Sequence, residues 1–449
     1  MNAQAFIQRF QQFDKAAIVS HGEYFSYAWL SKKIAEYEKA LELQGILSGA
    51  IVQINADFSP YSVAMLFALA NKNCIVVPMT KVVLAKQREY QQIVGIEHVI
   101  SFNEKQFTVE DLQYAQQHDL LMGLKKGNHP GLIIMSSGSS GTSKAVVHDL
   151  LPLLDKFEKP RHSKRILTFL LFDHIGGINT LFYTLYNGGC IIVAENRTPD
   201  SICYAIEQHR VQILPTTPTF INLLLLSQAY KKYDLSALEL VTYGTEIMPE
   251  SVLQRFHQHF PEVRLQQTYG LSELGILRSK SKSSDSLLMK IGGEGFEIRV
   301  VDGLLEIKAK SAMLGYLNAP SPFTEDGWLK TGDAVEVEGE YLKILGRKSE
   351  MINVGGEKVY PAEIENVLLE MNGVEDVLVV GEPNAILGNI VKVKLRIKEG
   401  YDQKDFKIKL RIFCKDKLPA YKIPQKIEFA DHQFHGARFK KMRNQSLVN

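Results

Sequence analysis

Little in this chain suggests a scaffold clamped by disulfides or metal. Of 449 residues only four are cysteine, Cys74, Cys190, Cys203 and Cys414, and they are scattered without paired metal-ligand spacing. Reduced thiols in a cytoplasm are the expectation. Charge of one sign is also lacking. The formal net charge of +2 argues against nucleic acid or a membrane surface as the main partner of the whole molecule. No run approaches the roughly 18 apolar residues that span a bilayer, and the N-terminal "MNAQAFIQRFQQFDKA" has no cleavable apolar core. The expectation is a cytoplasmic protein, with no membrane span and no nucleic-acid partner, that handles something small. Nor does the chain contain the Gly-x-x-x-x-Gly-Lys-Ser/Thr string of a Walker loop, or an internal repeat.

What is present is length and alternation. At 449 residues and 45% hydrophobic content the chain is long enough for two or more domains with sizeable cores. Short apolar runs such as "CIVVPM", "LIIM", "CIIVA" and "VQILPTTP" alternate with helix-length amphipathic stretches such as "SPYSVAMLFALANK" and "PESVLQRFHQHF", which predicts an α/β domain. After about residue 280 the texture shifts to shorter strands and turns, as in "GFEIRVVDGLLEIKAK", and predicts a β-rich unit. A second change falls near Gly346. Beyond it a helix and strand pattern, "PAEIENVLLEMNGVEDVLVVG", leads into a basic tail, with twelve Lys or Arg against five Asp or Glu over 401–449. "SKSKSSDS" at 279–286 reads as a mobile surface loop.

The segment "IIMSSGSSGTSKAVVH" (133–148) sets an apolar lead-in before Ser136, Ser137, Gly138, Ser139, Ser140, Gly141, Thr142 and Ser143, and closes on Lys144. Small residues let the backbone N–H groups converge on one concavity, which suits an anion, and Lys144 adds a full charge suited to nucleotide phosphates. A flexible Ser/Gly linker is the plain alternative. Three later segments weigh against it. "QQTYGLSELG" (266–275) offers Tyr269 to stack on a base, Ser272 to touch a phosphate and Glu273 to hold Mg²⁺. "GWLKTGD" (327–333) places Asp333 after a Gly turn, where its oxygens can accept ribose hydroxyls. "GRKSEMINVGGEKVYPAEIE" (346–365) has a Gly-Arg start, the pair Gly355 and Gly356, and a helix.

In this order the segments resemble the adenylate-forming (AMP-binding) superfamily of acyl- and aryl-CoA synthetases, stand-alone adenylation domains and luciferases. The resemblance extends through "FDHIGGINTLFYTLYNGG" (172–189), "VQILPTTPTFINLLL" (211–225), "YGTEIMPE" (243–250), "AMLGYLN" (312–318) and "LPAYKIPQKIEF" (418–429), nearly the whole chain. It implies an α/β fold: a large N-terminal domain (1–346) of α/β subdomains plus a β-rich subdomain, and a small mobile C-terminal α+β domain (350–449). It implies ATP-dependent conversion of a carboxylic acid to an acyl-adenylate, then transfer to the thiol of CoA or, alternatively, to the phosphopantetheine of an acyl or peptidyl carrier protein.

The implied roles fall on Ser136 to Lys144 for the phosphates, Gly244, Thr245 and Tyr269 for adenine, Ser272 for the α-phosphate, Glu273 for Mg²⁺, Asp333 for ribose, and Arg347 for ribose or phosphate. Gly355 and Gly356 would pass the pantetheine arm. A C-terminal lysine usually set in Gly-Lys-x-x-Arg matches Lys440 of "FKKMR" (439–443), although Phe439 stands where the Gly is usual and Lys441 or Lys144 could share the work. Ser143 replaces a Pro, and Ser349 a hinge Asp. A non-catalytic binder is the remaining alternative, opposed by the joint presence of Lys144, Glu273, Asp333, Arg347 and Lys440.

For the acid, the resemblance implies a pocket of "FDHIGGINTLFYTL", "YGTEIMP" and the residues after Tyr269, including Gly270, with His174 as gate. Asp173 is then either an amine ligand for an amino-acid substrate or a pocket-rim or helix-capping residue. The apolar and aromatic surroundings favour an aryl or aliphatic acid.

Overall fold

The computed structural model describes residues 1–112, 114, 117–137 and 143–443. Gly138, Ser139, Ser140, Gly141 and Thr142 lie outside the described residues. The alternation of apolar runs and helices builds two seven-stranded sheets. The first runs Arg264–Gln267, Leu240–Tyr243, Ile213–Thr216, Arg165–Thr168, Cys190–Val193, Ala16–Ser20, Glu23–Ser26, and is parallel except at its last pair. The second runs Gly315–Tyr316, Ser143–Asp149, Gly131–Ser137, Ile75–Met79, Ile51–Asn55, His98–Asn103, Gln106–Asp111.

One core fills the space between these sheets, with Ile18 and Ile191 from the first, Val52, Val76 and Ile134 from the second, and residues of helices Tyr27–Leu43, Pro60–Asn71 and Ile175–Tyr186. Helix Pro60–Asn71 differs from its amphipathic expectation, for ten of its twelve residues are buried. A helix with sheets on both sides has no solvent face to keep polar. Its start is fixed by Pro60 at the first turn and by the reciprocal Ser59–Ser62 capping box.

The β-rich unit is a six-stranded antiparallel sheet, Ser279–Ser281, Met289–Ile291, Tyr341–Arg347, Leu329–Glu338, Leu304–Ala309, Phe296–Val301. The stretch 279–286, expected to be a mobile loop, instead contributes an edge strand. Ser281 Oγ accepts from the Gln267 backbone N–H at 2.8 Å and Ser284 Oγ from that of Leu265 at 3.2 Å. Its serines tie the sheet to the first α/β layer, a use that composition does not reveal.

Beyond Arg347 the chain builds a separate core around Val359, Ile364, Val379, Val393 and Phe406, on a five-stranded sheet flanked by helices Pro361–Leu369 and Gln403–Lys415. This gives an α/β architecture with a large N-terminal part and a small α+β C-terminal part. No helix of the described residues is long and apolar enough to cross a membrane.

Candidate functional site

A cavity of about 990 Å³ opens where the carboxyl ends of the first sheet's strands face the β-rich sheet and the C-terminal tail, the position at which open parallel sheets gather ligands. Segments far apart in the sequence meet on its wall: Ser136 and Lys144, Asp173 and His174, Gly244 and Thr245, Gly270, Ser272 and Glu273, Arg347 and Lys440.

Ser136 and Lys144 face each other across the antiparallel pair formed by strands Gly131–Ser137 and Ser143–Asp149. The Lys144 ammonium sits 4.8 Å from the centroid of the Tyr316 ring. Tyr316 in turn donates its hydroxyl to Glu273 Oε1 at 2.6 Å. Ser143, in place of the usual Pro, is buried, shares a 2.7 Å hydrogen bond with the Tyr90 hydroxyl and accepts from Asn318 Nδ2 at 2.8 Å through its carbonyl. Ser272 is fixed from behind, where His148 Nε2 donates to its carbonyl at 2.6 Å. Burial pushes His148 down to about 4 despite that bond, so its imidazole is neutral with the proton on Nε2.

Behind the opposite wall, next to the lining residues Thr331 and Gly332 and off the cavity surface itself, Asp333 is buried. It accepts from the Tyr269 hydroxyl at 2.6 Å, and Arg347 Nε lies 3.2 Å from its other oxygen. Burial raises the Asp333 carboxyl above its usual range, with Arg347 and Tyr269 pulling it back. Tyr269 is not on the cavity surface: its ring is buried in the β-rich core, and its hydroxyl orients Asp333 from behind the wall. Gly244 and Thr245 do line the cavity, and Thr245 holds a left-handed φ of 71°, a strained backbone of the kind that collects at ligand sites.

The acid side is built by helix Ile175–Tyr186. His174 is its N-cap, with Nδ1 accepting from the Gly176 N–H at 3.0 Å. Capping thus belongs to His174 and not to Asp173. Asp173 is buried, accepts from the Thr80 hydroxyl at 2.9 Å, and pairs with Arg438 Nη2 at 2.9 Å, while its Oδ1 has no partner among the described residues. Burial, then the charges of Arg438 and Lys440, hold His174 down to about 3. Its ring is neutral.

The tail decides between the two adjacent lysines. Lys440 is exposed, but to the cavity. Enclosure by protein, followed by repulsion from Arg347, lowers its pKa, with Glu246, Glu350 and Asp333 acting the other way. Lys441 turns away, its Nζ 3.2 Å from Glu365 Oε2 and donating to the Val377 carbonyl at 2.8 Å. Phe439, where a Gly is usual, adopts φ 50° and packs on Phe169, Phe220 and His435, with centroids at 5.2, 5.7 and 5.3 Å. The left-handed backbone that favours Gly is kept, and aromatic contacts hold a bulky residue in it. Gly355 and Gly356 lie elsewhere, exposed in the turn between Ile352–Val354 and Glu357–Val359, off the cavity wall.

Sequence reasoning left Tyr316, His148, Arg438 and Glu246 without roles. "AMLGYLN" marked Tyr316's segment, but only the fold brings its hydroxyl to Glu273.

The model of AMP-binding enzymes matches residues 5–317 and that of the AMP-binding enzyme C-terminal domain matches 363–438. Indoleacetate–CoA ligase of Aromatoleum aromaticum is 30% identical over 67% of this chain and 64% of its own length. Feruloyl-CoA synthase of an Amycolatopsis is 24% identical over 95% of this chain and 94% of its own. The chain thus spans just under two thirds of the first of these relatives. In fold it is similar to an anthranilate CoA ligase crystallised with anthranoyl-AMP, with a TM-score of 0.82 over 98% of this chain and 97% of the other at 20% identity. With a family model covering most of its length and the cavity assembled from the family's motif segments, the chain belongs to the AMP-binding enzymes.

Proposed function

We propose that this protein activates a carboxylic acid with ATP, forming an acyl-adenylate and pyrophosphate, and then transfers the acyl group to the thiol of CoA. One observation carries the proposal: Lys440 projects into the same cavity as His174, Ser272 and Glu273 and lies within electrostatic reach of Arg347 and Asp333. Attack of a carboxylate on the α-phosphorus joins two anions, so positioning and charge neutralisation matter more than a general base. Lys440 would bridge the acid's carboxylate and the α-phosphate. Lys144, across the strand pair from Ser136, would hold the departing pyrophosphate. Asp333 would accept the ribose hydroxyls, since each carboxylate oxygen retains a free lone pair beyond its bond to Tyr269 or Arg347, and Gly244 and Thr245 would border adenine.

No group of three or more His, Cys, Asp or Glu side chains able to hold a metal occurs among the described residues. One carboxylate, Glu273, on the cavity wall fits Mg²⁺, an ion held mainly by phosphates and water with one or two protein ligands. Mg²⁺ bound there would neutralise phosphate charge, and Tyr316 would keep the Glu273 carboxylate aimed.

His174, neutral and pinned as an N-cap, would border the acid. The ion pair of Asp173 with Arg438 answers its charge from within the protein, and so favours an aryl or aliphatic acid over an amino acid whose ammonium needs that carboxylate. The chain from 350 onward, with its own core, would act as the mobile domain. The exposed Gly355–Gly356 turn would reach the cavity for the thiol step after the domain rotates about the Lys348–Glu350 region, with Ser349 as an uncharged pivot.

CoA is favoured as acceptor by relatives that are themselves CoA ligases or synthases. A carrier protein is the second acceptor to test, because the basic tail suits either. Pyrophosphate release with a panel of acids, followed by thioester detection with CoA and then with carrier protein, decides. Absence of pyrophosphate release with every acid would overturn the proposal.

A further inference from the structure

Behind the acid side of the cavity lies a cation that the chemistry above does not use. Lys156, just past helix Leu150–Asp155, points its Nζ at Asn179 Oδ1 and at the Ile276 carbonyl, 3.3 Å away, and both of those residues line the cavity. No carboxylate among the described residues pairs with it. Burial, and then repulsion from Arg278, a cavity-lining side chain with no ion-pair partner among the described residues, lowers Lys156 to about 7. A crowded lysine without an anion is costly, and an apolar side chain of similar length would fill the same space.

The consequence falls on Asn179. Lys156 Nζ donates to Asn179 Oδ1, so the amide oxygen faces Lys156 and the amide NH₂ faces away from it. Asn179 is half-buried on the cavity wall, and its Nδ2 has no protein acceptor among the hydrogen bonds of the described residues. It stands five residues beyond His174, about 7.5 Å along the helix axis at about 1.5 Å per residue, a span that one aromatic ring with a para substituent fills.

We infer that Asn179, held by Lys156, selects acids that carry a hydrogen-bond-accepting oxygen at the end remote from the reacting carboxylate. Asn179 is the specificity-determining contact and Lys156 its positioning residue. The inference rests on the acid-activating function proposed above and names the class of acid that function takes. The oxygen can be neutral, as in a phenol, or anionic, as in a second carboxylate, which Arg278 would also attract.

Benzoyl, 4-hydroxybenzoyl and 4-carboxybenzoyl sulfamoyl adenosines separate these cases by calorimetry, since binding needs no turnover. The native protein is expected to bind at least one oxygenated analogue tenfold or more tightly than the benzoyl one, and which of the two it prefers identifies the oxygen as neutral or anionic. Asn179→Leu should abolish that preference while leaving benzoyl affinity within about threefold. Asn179→Asp, which keeps the shape and pairs with Lys156, should weaken the 4-carboxy analogue most. Lys156→Met should shrink the preference without changing benzoyl affinity. Equal affinity for all three analogues, tighter binding of the benzoyl one, or an undiminished preference in Asn179→Leu would overturn the inference. ATP–pyrophosphate exchange with the free acids reports separately on the function: binding preference without exchange leaves the inference standing and sinks the reaction, and exchange without preference does the reverse.

Discussion

The C-terminal part presents two edges that meet opposite surroundings. The docked edge is the tail segment beyond the last strand of its sheet, where Arg438, Phe439, Lys440, Lys441 and Arg443 each meet the cavity, an aromatic cluster or a carboxylate. The free edge carries the Gly355–Gly356 turn and the Asn384–Gly388 turn beside it, where Gly355 N–H donates to the Leu387 carbonyl at 2.9 Å and Ile386 is 92% exposed. An exposed apolar tip next to a paired glycine turn is poor design for a surface that stays in water and good design for one that docks in turn. The contrast teaches that the small domain holds its catalytic candidate by charge and aromatic packing while keeping its other face available.

Breaking the docked edge at its root should have the largest effect. Glu365 is buried and clamps Lys441 and Arg443. Burial alone would raise it, but Arg443 and Lys441 outweigh burial and hold it near 2 against an ordinary 4.5. A folded pKa below the unfolded one contributes stability above the unfolded value that is lost as pH falls through the folded value. Glu365→Gln should therefore cost about 3–5 kcal/mol at neutral pH, and the gap in Tm from the native protein should narrow as pH falls from about 4.5 toward about 2. A gap that stays constant with pH would show that the clamp is not electrostatic.

Removing the chemistry without the docking comes next. Lys440→Ala should lower acyl-adenylate formation by a factor of about 10²–10³ while sparing thioester formation from supplied acyl-adenylate. Lys441→Ala, in contrast, should lower Tm and leave the first half-reaction largely intact in the folded enzyme. Pyrophosphate release and thioester formation, measured separately, check both.

On the cavity side, Glu273→Gln and Asp333→Ala should each cost about 2–4 kcal/mol of transition-state stabilisation with circular dichroism unchanged. Near-native ATP–pyrophosphate exchange in either variant would remove it from the site.

A milder loosening follows from Arg438→Ala, which strands the buried Asp173 carboxylate. It should slow adenylation by about 1–3 kcal/mol and leave transfer from supplied acyl-adenylate equal or faster, because docking is weakened only in the adenylating arrangement. The smallest effect belongs to the free edge, where Ile386→Ser should change stability by no more than about 0.5 kcal/mol and leave adenylation untouched. A slower thioester step alone would show that this face acts second.

The order of the motifs and the switch from α/β alternation to a β-rich texture were legible because each rests on local chemistry: period, glycine turns, and a Ser-rich segment ending on Lys144. Helix Pro60–Asn71 and the strand at Ser279–Ser281 were misjudged for one reason. Local pattern reports what a segment prefers, and both take their state from layers packed on them that lie far away in the chain. The same limit applied at the site. Sequence by itself marked Glu273 and Asp333 as candidates, since a carboxylate beside a glycine turn suits Mg²⁺ or ribose, while Lys440, with Lys441 beside it, and Arg347 became candidates through the resemblance to the adenylate-forming superfamily. Only the tertiary structure turned Lys440 inward and Lys441 onto Glu365, moved capping from Asp173 to His174, and set Lys156 behind Asn179. Those outcomes depend on which side chain faces which across 76 residues for Lys441 and Glu365, or 23 for Lys156 and Asn179, and a side chain's facing is decided by packing and not by its neighbours in the chain.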